Sequence, residues 1–428
     1  MPHLAPRAKN VILLFMDGGV SQVDSFDPKP RLTAEHGKPF GLKVEATQFD
    51  NIGHVLASPW EFRQHGQAGI PVSALFPHLG AMADELCVIR SMKADFPEHA
   101  QAALMLHCGH PLQGRPSLGS WLSYGLGSAN ANLPSYAVVS GGMLPIGGIE
   151  NYSAGFLPAT HQGSMFDAFS GGEPIGNITP TDDAARQRAK LDLVEGADRD
   201  FLARLGGRHA AVEAAIANYE TAFAMQSAVP ELTDLRGESD ATKRLYGLDS
   251  PDKIRAQYAR QLLLTRRMIE RGVRCVEVGY VRGVRNVAPW DQHEDLRKSH
   301  ARNAAIVDQP IAALLTDLKA RGLLDSTLVI WAGEFGRTPF AQGADGRDHN
   351  PQGFTIWLAG GGVRGGMIHG ATDDYGYKAV QDIVTINDLH ATILHLMGLD
   401  HERLTFHHGG RDYRLTDVAG NVVKPLLA

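Results

Sequence analysis

The chain has 428 residues, with 47 Gly, 23 Pro, 19 His and 3 Cys, and a net charge of −6. It carries no period-three glycine repeat, which excludes collagen, and no basic excess, which leaves no footprint for nucleic acid. Hydrophobic residues at 43% and charged residues at 21% suit a globular protein with a large core, and many histidines beside few cysteines point to metal or acid–base chemistry rather than a disulfide scaffold.

The first element is the apolar run Val11 to Met16, as expected of a strand buried on both faces of a parallel sheet. It opens into DGGVSQVDSFDPKP, a loop rich in Gly, Asp and Pro. Further strands are expected at 86–90, 136–140, 273–278, 327–332 and 354–359. A long Ala-rich helical stretch covers 184–228, interrupted at Gly196 and at Gly206–Gly207. Lys253 to Arg271 reads as an amphipathic helix with Ser250 as N-cap and Pro251 at N1. Asp295 to Arg321 reads as another, and Asp388 to Gly398 as a last one with an Asp N-cap and a Gly stop. Strands alternating with helices predict an α/β fold with a mostly parallel or mixed sheet covered on both faces.

Residues 141–183 show no clear period and read as a loop-rich excursion, followed by a helical insertion over 184–272, within a single domain spanning 1–428. No apolar run reaches the ~18 residues a membrane helix needs. The N-terminus shows no apolar signal segment, so the expected compartment is the cytoplasm, or the periplasm or exterior if the chain is a trimmed mature form. Cys87 and Cys275 sit in apolar runs and read as buried thiols. His390 and His395 lie on an apolar helix and read as core histidines.

Polar groups cluster just after the strands, where open α/β sheets bind ligands. Asp17 follows the first strand, with Asp24 and Asp27 later in the same loop. Asp291 and His293 lie in WDQH, Glu334 and Arg337 in GEFGRTP, and Asp348 and His349 in GRDHN. His99 lies near a helix start in ADFPEHAQ. Each piece has a bland reading as a turn, a cap or a local ion pair. Their recurrence at one place in the sheet is the stronger signal. Mixed Asp, Glu and His sets suit zinc first, with manganese or calcium as alternatives. GGGVRGG at 360–366 lacks the GK[ST] ending of a phosphate loop.

FMDGGVSQVDSFDPKP, RPSLGSWLSYGLGS, WDQH, GEFGRTP, GRDHN and DLHATILHLMGLD together resemble the bacterial domain-of-unknown-function 1501 family, from about residue 9 to about residue 420. That family is grouped with the alkaline phosphatase–sulfatase superfamily. The resemblance implies a three-layer α/β/α sandwich around a mixed sheet. It also implies metal ligands at Asp17 or Asp24, at Asp291 with His293, at Glu334 and at His349, with Asp348 beside it. Glu334-Phe335 stands where the superfamily has Asp-His, so the carboxylate is kept and the imidazole is not. DFPEHAQAALML resembles the segment that carries a Thr or Ser nucleophile in nucleotide pyrophosphatase-like members. Asp95 stands at that position, with Ser91 nearby as a competitor, and there is no CxPSR formylglycine motif.

The expected function is metal-dependent hydrolysis of phosphate or sulfate esters, acting on small-molecule or glycan substrates. Metal-activated water or the Asp95 carboxylate would replace the usual nucleophile. Arg337 would hold the anion, and His99 would serve as ligand or general acid. The alternatives are a catalytically silent binding or scaffold protein on the same fold and a metal-dependent phosphotransferase or mutase. Substrate, metal identity and oligomeric state are not legible.

Overall fold

The first strand, Asn10–Phe15, is apolar throughout because both of its faces are covered. Ile12 and Leu14 enter one hydrophobic core, and Val11, Leu13 and Phe15 enter another on the opposite face. A computed structural model describes residues 2–428 apart from 46, 48, 50, 143, 169–172 and 282–287. It is an α/β protein of three layers. The helices Lys253–Glu270 and Leu296–Ala320 cover one face of the sheet. The helices His99–Cys108, Leu118–Leu126 and Ile386–Leu396 cover the other.

The nine-stranded sheet runs Met367–His369, Leu86–Lys93, Phe354–Ala359, Thr327–Ala332, Asn10–Phe15, Cys275–Val281, Tyr136–Gly141, Ser164–Asp167, with Val384–Thr385 also on Leu86–Lys93. Phe354–Ala359 is antiparallel to both of its neighbours, and the other pairings are parallel. In register, Leu14 lies between Trp331 and Val278. The strands Asn10–Phe15, Cys275–Val281 and Thr327–Ala332 therefore end at one edge, and the loops that follow them meet there.

Several local expectations needed correction. Ser164–Asp167 adds an edge strand inside the segment expected to be loop. Gly336–Gln342 and Gly346–Asn350 form an antiparallel hairpin, so GRDHN is a strand and not a turn. The Ala-rich stretch divides into Ala184–Arg204 and Ala210–Thr233 at Gly206 and Gly207, both at positive φ, while Gly196 stays inside the helix. The helix Lys253–Glu270 is capped by Asp252, which accepts from Ile254 and Arg255 N–H, and not by Ser250. The last helix starts earlier, at Ile386, where Thr385 and Asp388 form a reciprocal capping box. No described helix is long and apolar enough to cross a membrane.

His390 is buried, and its Nε2 faces the Leu106 carbonyl at 2.7 Å. Burial pushes its pKa down to about 4. His300, also buried, accepts from Ser21 N–H and is pushed down to about 3 by burial. Both are neutral in the folded protein, whereas the unfolded chain takes up protons near pH 6.5. Stability is therefore expected to fall as pH drops from about 6.5 toward 4. Urea midpoints across that range should show a shallower decline for His390→Leu than for the parent, and parallel declines would refute the assignment.

Candidate metal centre

Four side chains from one loop, one hairpin strand and a helix start meet at the carboxyl edge of the sheet: His99, Asp291, His293 and His349. One ligand atom from each lies within 4.8 Å of all the others. Asp291 Oδ1 is the centre of the group. His293 Nε2 stands 2.8 Å from it, His349 Nε2 3.2 Å and His99 Nε2 3.3 Å. Ligands ~2.1 Å from a tetrahedral zinc lie ~3.4 Å apart, so these spacings suit one ion with small side-chain shifts.

The other nitrogen of each ring is already held. His99 Nδ1 faces Glu334 Oε1 at 2.6 Å. His349 Nδ1 faces the Pro97 carbonyl at 2.6 Å. His293 Nδ1 meets Gln342 Oε1 in a short contact. A carbonyl or carboxylate can only accept, so these contacts place a proton on Nδ1 and turn Nε2 inward, the arrangement that orients metal-ligating histidines. His99 Nε2 is buried and lacks a hydrogen-bond partner, as does Asp17 Oδ1 nearby. The donor set and the orphaned atoms thus fit a divalent cation.

Electrostatics follow from this crowding. Burial opposes ionisation of Asp291, but the facing imidazoles of His293, His349 and His99, whenever they carry a proton on Nε2, and the Arg337 guanidinium hold its carboxyl far below the usual range. Burial, then Arg337, pushes His349 down to about 4, so the ring is neutral. Burial also works against charge on His99, but the facing Asp291 and Glu334 carboxylates outweigh it and raise its pKa to about 9. Burial and then Glu334 push Asp17 up to about 8, so this carboxyl is protonated at neutral pH.

The remaining expected residues take other places. Asp17 and Glu334 are buried at the edge of the group and not in it. Glu334 accepts from Gly18 N–H at 3.0 Å while orienting His99. Asp24 lies outside the group: it is buried in an ion pair with Arg347 at 2.8 Å, and Ser21 donates to it. Asp348 accepts from the N–H groups of His349 and Phe49 and stands 4.0 Å from His293 Nδ1, beside the group and not in it. Arg337 is not free to hold a substrate anion. Its side chain is fully buried, Nε donates to the Gly19 carbonyl, and the two terminal nitrogens donate to the carbonyls of Arg347 and Gly18 and to Asp291 Oδ1. Asp95 is exposed in the loop before His99 and takes no part in the group, and Ser91 is buried, with its hydroxyl donating to the Asp382 carbonyl.

Two contributors carried no sequence signal, the Pro97 carbonyl and Gln342, and Phe335, noted in the sequence only as a missing imidazole, stacks its ring on His349 at 4.5 Å and leans on His99 at 4.9 Å. A fourth contributor had a sequence signal, because Glu277 lies inside the apolar run RCVEV. Its carboxylate faces His107 Nε2 at 2.7 Å and accepts from the Tyr136 hydroxyl. His107 Nδ1 faces the Ala103 carbonyl, so this contact ties the last turn of the helix that begins at His99 to the sheet.

The family described as "Protein of unknown function (DUF1501)" matches residues 8–427. The chain belongs to this family. No curated protein matches the sequence. Among solved structures, the chain is similar to the lipoteichoic acid synthase LtaP from Listeria monocytogenes, with 9% identity over 96% of this chain and 76% of that one and a TM-score of 0.41. It is also similar to the PsFucS1 sulfatase from Pseudoalteromonas sp., at 13% identity, 92% and 69% coverage and a TM-score of 0.37. A TAB5 alkaline phosphatase variant with bound Mg gives 11% identity, 92% and 99% coverage and a TM-score of 0.38.

Gly18 sets the distance between two of the site loops in this DUF1501 protein. Its φ is +108°, and a Cβ there would stand 2.5 Å from Asp291 N and 2.9 Å from Trp290 backbone atoms. Gly18→Ala would therefore be strained and would push the Asp291 loop outward. The expected outcome is a fold unchanged by circular dichroism with divalent-cation affinity weakened about tenfold or more by competition with a chelating dye. Unchanged affinity would show that the Asp17–Gly19 turn does not set the site.

Proposed function

We propose that the protein is a metal-dependent hydrolase of phosphate or sulfate esters, built on one divalent cation held by His99, Asp291, His293 and His349. The observation that carries this reading is the pair His349 and Asp291. The ring is neutral with its proton on the Pro97 side, so its Nε2 lone pair faces a carboxylate oxygen at 3.2 Å. Two acceptors in that position repel each other, and a cation between them removes the conflict.

A bound divalent ion would supply Lewis acidity and would lower the pKa of water toward neutrality. The protein's own groups do the rest. Glu334, Gln342 and the Pro97 carbonyl fix the three rings. Asp291 is the sole carboxylate of the four, so the loaded centre carries a net positive charge that favours an anionic ester. Arg337 lies behind Asp291 and keeps it ionised. Phe335 walls one side and leaves no ligand at that position. His293 is the most open member, with its side chain 23% exposed, so substrate enters from its side. All four members of the cluster serve as ligands to the cation, and water is the proposed nucleophile.

A second reading has its own support. Four protein donors complete a tetrahedron, and closed tetrahedral sites are structural, whereas catalytic ones keep an open position. On that reading the chain binds a cation and an anionic partner without turnover.

Protein purified without chelators should contain one divalent ion per chain by elemental analysis. A panel of aryl phosphate monoesters, phosphate diesters and sulfates should reveal turnover that His349→Ala abolishes. Absence of stoichiometric metal would sink both readings. Stoichiometric metal with no turnover on any ester would select the closed site.

A further inference from the structure

A second chamber lies at the opposite edge of the sheet, where the strands Tyr136–Gly141 and Ser164–Asp167 begin. Its volume is 450 Å³, within the ~300–1,000 Å³ usual for small-molecule sites. The end of helix Leu118–Leu126, the turn Ala159–His161 and one face of helix Ala210–Thr233 line it, and it opens to solvent. None of its lining residues is Asp, Glu, Lys or Arg. Leu133 and Met225 contribute apolar surface, while Ser123, Ser135, Thr160, His161, Ser164 and Asn218 contribute hydrogen-bonding groups.

Three of these groups form a chain. Ser135 Oγ stands 2.5 Å from Ser123 Oγ, which stands 2.8 Å from His161 Nδ1. Ser123 is buried, whereas Ser135 and His161 are half-buried at its two ends. The chain can run in either direction. If His161 Nδ1 accepts, its Nε2–H is left as a donor and Ser135 Oγ as an acceptor. If Nδ1 donates, Ser135 Oγ is left as a donor and Nε2 as an acceptor. Either way one end donates and the other accepts, which suits a ligand whose groups do both. Hydroxyl groups do so, and carboxylates, phosphates and ammonium groups do not. Asn130, also in the lining, has a buried Nδ2 with no partner. A charged ligand would find no counter-charge here and would lose its hydration without compensation.

We propose that this chamber binds a neutral polyhydroxylated ligand, one or two sugar rings in size, through the Ser135–Ser123–His161 chain. The inference does not rest on the metal centre, which lies at the other edge of the sheet.

The test uses the full chain as purified and titrates D-glucose, D-galactose and maltose by ligand-observed NMR and calorimetry. At least one sugar should bind saturably in the millimolar range. Ser135→Ala, which removes one end of the chain, should weaken that sugar about tenfold. Ala222→Trp, a change on the exposed side of the lining helix, should fill the chamber and abolish binding. His349→Ala should leave sugar binding intact, which separates this result from any failure of the metal centre. Saturable binding that is lost in Ser135→Ala or Ala222→Trp, with the variant folded by circular dichroism, supports the proposal. No saturable binding of any of the three sugars, or binding that survives both changes, overturns it.

Discussion

Three imidazole nitrogens and one guanidinium crowd a single carboxylate oxygen, Asp291 Oδ1. Much of this edge of the molecule exists to maintain that crowding. The carboxylate stays ionised despite burial because the cations and donors around it outweigh the loss of water. The rings keep their Nε2 atoms inward because their outer nitrogens are occupied. Remove the outer partners, and the rings could rotate or take the other tautomer.

Arg337 is the fastener of this arrangement. From the hairpin strand Gly336–Gln342 it reaches the carbonyls of Gly18 and Gly19 after the first strand, the carbonyl of Arg347 in the facing strand, and Asp291. Three chain segments far apart in sequence are thereby locked to one planar group, a role that suits the fixed fork of a guanidinium better than a lysine. The nearby Asp24–Arg347 ion pair does similar work one layer away and is buried on both sides. Breaking such a pair leaves an unpaired buried charge, at a cost of ~3–5 kcal/mol. Arg337, expected from the sequence to hold an anion, and Arg347 are therefore parts of the frame.

Much of the sheet was legible in the sequence because a strand buried on both faces must be apolar at every position. The runs at 327–332 and 354–359 show this plainly. The edge strand Ser164–Asp167 was not legible, since an edge strand needs no continuous apolar run. GRDHN offered no strand signal because it is polar, yet it is a strand and all five residues are buried. Their polar atoms find partners in the hairpin and in neighbouring loops, and a sequence cannot show such partners. Asp291, His293 and His349 were legible as candidates because the sequence sets them beside strands of one sheet, and the structure brings them together.

By itself, the sequence determined the layered α/β architecture, the positions of most strands and helices, and the pool of residues from which a metal site could be drawn. These follow from local apolar periodicity and from the chemistry of side-chain types, which travel with the chain. The tertiary structure alone decided the division of labour inside that pool. Asp24 and Arg337 went to the frame, Glu334 became the partner of a ligand, His99 became a member of the cluster, and Asp95 was left at the surface. Burial and the nearest charge fix each of these roles, and both depend on residues hundreds of positions apart.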